Sequence, residues 1–296
     1  MRWLKFKQRN VLPYIFICPA FIFILVIFIY PLILTFKYSL SDASMLSNKY
    51  YFVGLKNYID LFKNIEFIKT IKITAIWTIM SLTLKISLGT VLALLLNRQI
   101  KCIKIYRIFI LLSWSMPQVA SGIIWSWIYD GKYGYLNYFL IKLGIIDNNL
   151  IWLGEKKLAF ISTVLVDAWM GIPFIALMIL SALKSIPSSI YEAAELDGAS
   201  SIDKLRLITI PYIKPIILMV TILTTIWTFN SFSVIWILTK GGPINITETL
   251  PVKIYIEGFT KYNTSISCAM SVIVFIILSI FVSIYWEKFL NKNKTF

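Results

Sequence analysis

Six stretches of this sequence, roughly 12–36, 71–97, 106–128, 158–183, 212–238 and 265–286, are apolar enough and long enough to cross a bilayer as helices, for which about 20 residues suffice. No other feature limits the fold so strongly. A chain in hydrocarbon must satisfy its own backbone hydrogen bonds, and a helix does so within one segment. The expected fold is therefore an all-α polytopic membrane protein with six transmembrane helices. Composition agrees: 58% of the 296 residues are hydrophobic and only 15% are charged, against about 25% charged in soluble domains. A net charge of +15 raises nucleic acid as a partner. The Lys and Arg residues, however, lie between apolar runs and form no basic domain, so they read as membrane-flanking charge. The chain has no histidine, which excludes an imidazole base, a His triad and His-ligated metal. Cys18, Cys102 and Cys268 form no CxxC, so no disulfide framework and no metal site are expected.

Orientation follows from positive charge near the span ends. Residues 1–11 carry Arg2, Lys5, Lys7 and Arg9 ahead of the first apolar run. That run is too long for a signal peptide and no A-x-A site follows it, so it reads as an uncleaved span. With the N-terminus inside, the inner segments 1–11, 98–107, 184–214 and 287–296 hold 15 Lys and Arg, and the outer loops 37–70, 129–157 and 239–262 hold 12. The excess is small. The compact group Arg98, Lys101, Lys104 and Arg107 and the N-terminal cluster decide the orientation. Three charges fall within the spans: Lys72 at an end, where it can snorkel, and Lys85 and Asp167 deeper. A charge at depth is costly unless paired or wetted. Lys85 and Asp167 are thus a candidate intramembrane charge pair across spans two and four, or else face a water-filled path.

The longest polar stretch on the inside is 184–214. Pro187 breaks the preceding helix. Ser188 and Ser189 are candidate caps for the next one, and Ser189 to Glu192 has capping-box spacing. Ile190 to Leu196 forms a short amphipathic helix in which Ala193 and Ala194 permit close approach by another surface. Gly198 suits the left-handed conformation that ends a helix. A second short helix, 200–210, is expected to stop before Pro211. The loop is then two short helices meeting at a glycine turn.

This pattern closely resembles the EAA loop of permeases in binding-protein-dependent ABC importers: Glu192, Ala193 and Ala194, then Asp197, Gly198 and Ala199, and Pro211 after Ile208 and Ile210. The resemblance covers almost the whole chain. Phe52-Val53-Gly54-Leu55-Lys56-Asn57-Tyr58, Leu95-Leu96-Asn97-Arg98, Gly134-Tyr135-Leu136-Asn137, Trp169-Met170-Gly171-Ile172-Pro173-Phe174 and Thr239-Lys240-Gly241-Gly242-Pro243 look like the sugar permeases of the maltose/glycerol-phosphate type. Within that type they look like the member related to the larger maltose permease subunit, in its short six-span form. The resemblance implies a type I importer permease in a bacterial inner membrane, with both termini cytoplasmic. It implies a second, homologous permease as heterodimer partner, two ATPase chains that hold ATP and magnesium, a periplasmic or lipid-anchored binding protein, and a sugar as cargo. No G-x-x-x-x-G-K-[ST] occurs in this chain, so it has no P-loop of its own. It is not expected to be an enzyme or to carry a cofactor.

Sugars are held by aromatic faces and by side chains that bond hydroxyls. Thr224, Trp227, Thr228 and Ser231 fall at i, i+3, i+4 and i+7, on one helix face. Such Thr and Ser residues equally often join helices within a membrane. The family resemblance places sugar contacts at these four positions, at Trp114 and Gln118 in span three, and at Met170, Gly171 and Phe174 in span four. Pro117 can open span three where it lines a cavity, Gly171 would let a sugar ring approach the backbone, and Pro173 is a candidate kink. Glycerol 3-phosphate or another polyol derivative remains an alternative cargo, favoured by a more basic pocket than this neutral stripe. An ion-driven secondary transporter would need acidic sites in the spans, and only Asp167 fits. No acid–base constellation supports a membrane enzyme.

Overall fold

The computed structural model describes residues 14, 16–98 and 103–293. The N-terminal charge cluster, Lys101 and Cys102 lie outside the described residues. The chain divides into two compact units, residues 1–65 with 254–276 and residues 66–253 with 277–296.

In the first unit, α1 (Phe16–Ser39) is apolar up to its last turns, where Thr35, Lys37 and Ser39 lie, and includes a π-helical turn at Leu25–Ile29. It leads into an antiparallel hairpin, β1 (Ser41–Ser44) and β2 (Ser47–Phe52), and then α2 (Lys56–Lys63). The hairpin is a small departure from an all-α chain. Tyr50 and Phe52 give β2 its strand character. The Asn57 amide holds α2 against the hairpin start by donating to the carbonyls of Ser39 and Ser41, 2.9 Å each.

In the second unit, α3 (Ile65–Leu96) is 32 residues long and begins ahead of the expected span. The expected span 106–128 is instead two helices, α4 (Ile103–Ser115) and α5 (Gln118–Ile128), bent by 97°. Pro117 is the cause. It lacks the N–H that would continue α4, and its ring pushes Met116 out of the helical region. Its carbonyl then starts α5 by accepting from the Ser121 N–H at 3.0 Å. In the outer loop, α6 (Tyr135–Lys142) carries a buried Asn137. That residue accepts from the Trp152 indole N–H at 2.8 Å and donates to the Leu150 carbonyl at 3.0 Å. Next, α7 (Lys156–Lys184) runs unbroken through Pro173, so this proline does not interrupt the helix.

The inner loop holds α8 (Ser188–Leu196), and α9 (Ser201–Leu238) follows. The expected stop before Pro211 does not occur. A π-helical stretch, Lys204–Thr209, precedes Pro211, which then sits in the first α-turn of Ile210–Phe229, where its missing N–H is not needed. The real interruption comes later, at residues 230–232, before helix resumes at Ser233–Leu238. Finally come α10 (Leu250–Tyr255) and α11 (Thr264–Asn293).

An apolar core joins α3, α7 and α9 through Ala93, Leu96, Ile175, Ile179, Leu183, Ile213 and Val220. Towards the outer side, the segment after the Gly241-Gly242-Pro243 turn is not a free loop. Glu248 and Lys253 form a buried ion pair at 2.6 Å. The Leu250 N–H donates to Thr74 Oγ1 at 2.8 Å.

Candidate functional site

The inner loop is built by backbone geometry more than by side-chain caps. Neither Ser188 nor Ser189 caps α8; Pro187 is its N-cap and no side chain bonds the first turn. The expected capping box at Ser189–Glu192 is therefore absent. Pro187 has an extended ψ of 135° and fixed φ, so it sets the entry angle without a polar cap. A capping box does exist at the next helix, where Ser200 and Asp203 exchange bonds of 3.0 and 3.2 Å.

Between the helices, Asp197 is the C-cap, and Gly198 has φ +77°. The Gly198 N–H donates to the Glu195 carbonyl at 3.1 Å, and the Ala199 N–H donates to the Ala194 carbonyl at 2.9 Å. These two bonds are a Schellman motif, which closes a helix on orphan carbonyls. Ala199 and Ala194 thus fix the turn through their backbones. Lys204 bonds Glu195 at 2.7 Å and holds that exposed carboxyl below the usual carboxylate range. The Tyr191 hydroxyl lies 2.9 Å from that of Thr209, and its ring packs on the apolar core. Glu192, Ala193 and Asp197 face solvent, and Leu196 at the tip is 91% exposed.

Eight of the nine expected sugar contacts line one cavity of about 140 Å³: Trp114, Gln118, Met170, Gly171, Phe174, Thr224, Trp227 and Ser231. That volume has room for on the order of ten waters. The α4–α5 break brings Trp114 and Gln118 in from either side of Pro117. Trp114 stacks on Phe174 with centroids 5.8 Å apart, and Phe174 meets Trp227 at 5.1 Å. Trp114 and Trp227 remain 49% and 54% exposed.

Thr228 departs from expectation. It is not part of the cavity lining and instead accepts a bond from Lys85 Nζ, a lining residue, at 2.8 Å. Ser231 lies past the end of the regular helix, in the interruption of α9, so the expected single helical stripe is broken there. Lys85 and Asp167 do pair, at 2.5 Å, and both are buried. The Ser81 hydroxyl donates to Asp167 Oδ2, and the Ser231 hydroxyl donates to Oδ1 at 3.3 Å. Lys85 and Asp167 thus pair across α3 and α7, and both belong to the cavity lining.

Gly171 has a different use from the expected one. A Cβ there would lie 2.6 Å from Lys85 Cε and 2.8 Å from Cδ, so what approaches this backbone is the lysine stem. Lys85, Asp167, Met116 and Val234 belong to the cavity lining although the sequence reading did not place them among its sugar contacts. For the two charges the signal was present, in their unusual depth. For Met116 and Val234 no signal distinguished them from ordinary span residues.

Residues 85–293 match the family model described as "Binding-protein-dependent transport system inner membrane component". The chain is 34% identical to the trehalose/maltose transport system permease protein MalF of Thermococcus litoralis, over 95% of this chain and 94% of that one. It is 28% identical to the sn-glycerol-3-phosphate transport system permease protein UgpA of Agrobacterium fabrum, over 96% of each. In fold it matches a chain of a bacterial ABC transporter involved in the import of the acidic polysaccharide alginate, with a TM-score of 0.85 at 20% identity, covering 98% of this chain and 99% of that one. With a family model matching most of its length and carried by these membrane helices and their inner loop, the chain belongs to the inner-membrane components of binding-protein-dependent transport systems.

Proposed function

We propose that this chain is one permease subunit of an ATP-driven importer that moves a mono- or oligosaccharide, delivered by an outer binding protein, through the cavity at Trp114, Gln118 and Thr224. Its partners are a second, homologous permease and two ATPase chains that bind ATP and magnesium. Both termini face the cytoplasm of a bacterial cell. The observation that carries the reading is the α8–α9 turn. It is closed by two backbone hydrogen bonds and exposes Leu196, and the loop that carries it joins α7 and α9, whose side chains line the cavity. A docked ATPase that shifts α8 moves the ends of α7 and α9 together, which is the geometry alternating access requires. Glu192 supplies a polar contact beside the apolar tip. Trehalose and maltose in a relative's name support a sugar cargo, and the aromatic pair Trp114–Phe174 supplies a stacking face. Glycerol 3-phosphate, named for another relative, is the second reading.

The test is uptake by proteoliposomes holding the permease pair and its ATPases, with the binding protein outside. The panel contains neutral mono- and oligosaccharides, glycerol 3-phosphate and oligouronates. Uptake of a sugar that requires ATP is expected, with losses of about tenfold or more in Trp114→Ala and Gln118→Ala and no loss of assembly. Uptake driven by an ion gradient without ATP sinks the reading, as does full activity in both variants.

A further inference from the structure

We infer that the cavity is built for an uncharged cargo, and that Asp167 is the residue that makes it so, by cancelling the charge of Lys85. The inference rests on the proposed reading of this cavity as the cargo site and deepens it. Among the described residues, Lys85 and Asp167 are the only ionisable side chains in the lining. They are 2.5 Å apart. As an ion pair, the two side chains carry a net charge of zero. An anion entering the cavity gives up part of its hydration and meets no net positive charge in return, which disfavours it.

The hydrogen-bond inventory points the same way. Of the three Lys85 donors, one goes to Asp167 and one to Thr228, leaving one unspent. Asp167 takes bonds from Lys85, Ser81 and Ser231 and retains acceptor capacity on Oδ1. Thr224 is only 3% exposed and lines the cavity, and its hydroxyl has no hydrogen-bond partner among the described residues. The site therefore offers both donors and acceptors. A sugar hydroxyl uses both kinds at once, whereas a fully ionised phosphate or carboxylate group only accepts. Proteins similar to this chain include carriers named for anionic cargo, so cargo charge is a distinction worth testing. Gly171 is part of the same device, because only a residue without Cβ lets the Lys85 stem cross α7 to reach its partners.

The experiment reads cavity charge directly. Met170→Cys places a thiol in the lining, in the assembled transporter in nanodiscs with Cys18, Cys102 and Cys268 replaced by serine. Its rates with the anionic sulfonatoethyl and the cationic trimethylammonium-ethyl methanethiosulfonates are divided, which removes the thiol's own titration. The ratio is followed from mildly acidic to mildly alkaline pH, so that charged forms of any released partner are sampled. With the pair intact, the ratio is expected to match that of an exposed reference thiol at every pH. In Asp167→Asn it is expected to move toward the anionic reagent by about tenfold or more somewhere in that range. Adding Lys85→Met should restore it. If Asp167→Asn fails to assemble, Lys85→Gln provides the mirror test, with a shift toward the cationic reagent. An intact pair that already favours the anion, or single variants with unchanged ratios, overturns the inference. The uptake panel separates the two claims: an anionic cargo overturns this inference and leaves the importer standing. Absence of any sugar uptake removes the sugar reading, and the reagent ratio still decides the charge of the cavity.

Discussion

Gly171 shows how one missing methyl group organises the cavity. Lys85 and Asp167 stand on α3 and α7, and the lysine must pass the α7 backbone to touch Asp167 and Thr228 together. Gly171→Ala puts a Cβ within 2.6 Å of Lys85 Cε, and both ends of that stem are fixed. The expected cost is about 1–3 kcal/mol, as for other overpacked sites. It should appear as a lower melting temperature of the assembled complex together with reduced uptake. An unchanged melting temperature would show that the stem has room to move aside. At this scale the sequence was partly legible. Two charges deep in apolar runs announce that something compensates them, because hydrocarbon does not. What it could not supply was the direction of each side chain. Spacing put Thr228 and Ser231 with Thr224 on one helical face, but Thr228 is drawn to the ammonium, and Ser231 lies where α9 has already lost its helix. Electrostatics and the local break overrode periodicity.

At the level of elements, prolines and glycines settled what hydropathy alone left open. An apolar run reports that a segment is in the membrane and says little of whether it is straight. The 106–128 run reads as one span and is two helices at 97°, because Pro117 lacks the N–H that would continue the first helix and its ring disfavours a helical Met116. Pro173 and Pro211 lie in runs that stay helical, the first within the packed core, the second just beyond a π-helical stretch. Sequence could identify each proline but not its surroundings. The glycine turn was more legible, since positive φ strongly favours Gly, and Gly198 takes it. Gly198→Ala is expected to cost about 1–2 kcal/mol in that conformation. Its effect should concentrate on coupling: the ATPase rate of the assembled complex should respond less to the loaded binding protein, at normal assembly. An undiminished response would mean that the turn's geometry is dispensable. The caps were the misread part. Serines at positions 188 and 189 satisfied a capping pattern, yet proline geometry starts α8, and the pattern is met at Ser200 instead.

For the whole molecule, the order and number of apolar runs gave the class of fold, and the loop motif gave the subunit type. Orientation rested on a narrow charge excess, part of which lies outside the described residues, so it calls for its own measurement. In intact cells, a membrane-impermeant thiol reagent should label Ile244→Cys, in the segment after Gly241-Gly242-Pro243, and leave Glu195→Cys unlabelled until the membrane is opened. The reverse pattern would invert the assignment of sides. The buried Glu248–Lys253 pair was not legible at all, because both residues fall in a polar stretch that reads as an ordinary loop. Only the packing of that stretch against Thr70 and Thr74 desolvates them.

Phe174 and Tyr191 press on the same apolar core, one from the cavity and one from the inner loop. A close-packed interior resists compression, so it behaves as a solid block between two contacts. Tyr191 and Phe174 thus sit on one continuous packed body, and Phe174 touches both tryptophans. The cavity and the inner loop then border one packed body, and a single large-to-small change at Ile179, buried between them, is expected to loosen any coupling between the two, read as ATP hydrolysis by the assembled complex that continues while uptake falls.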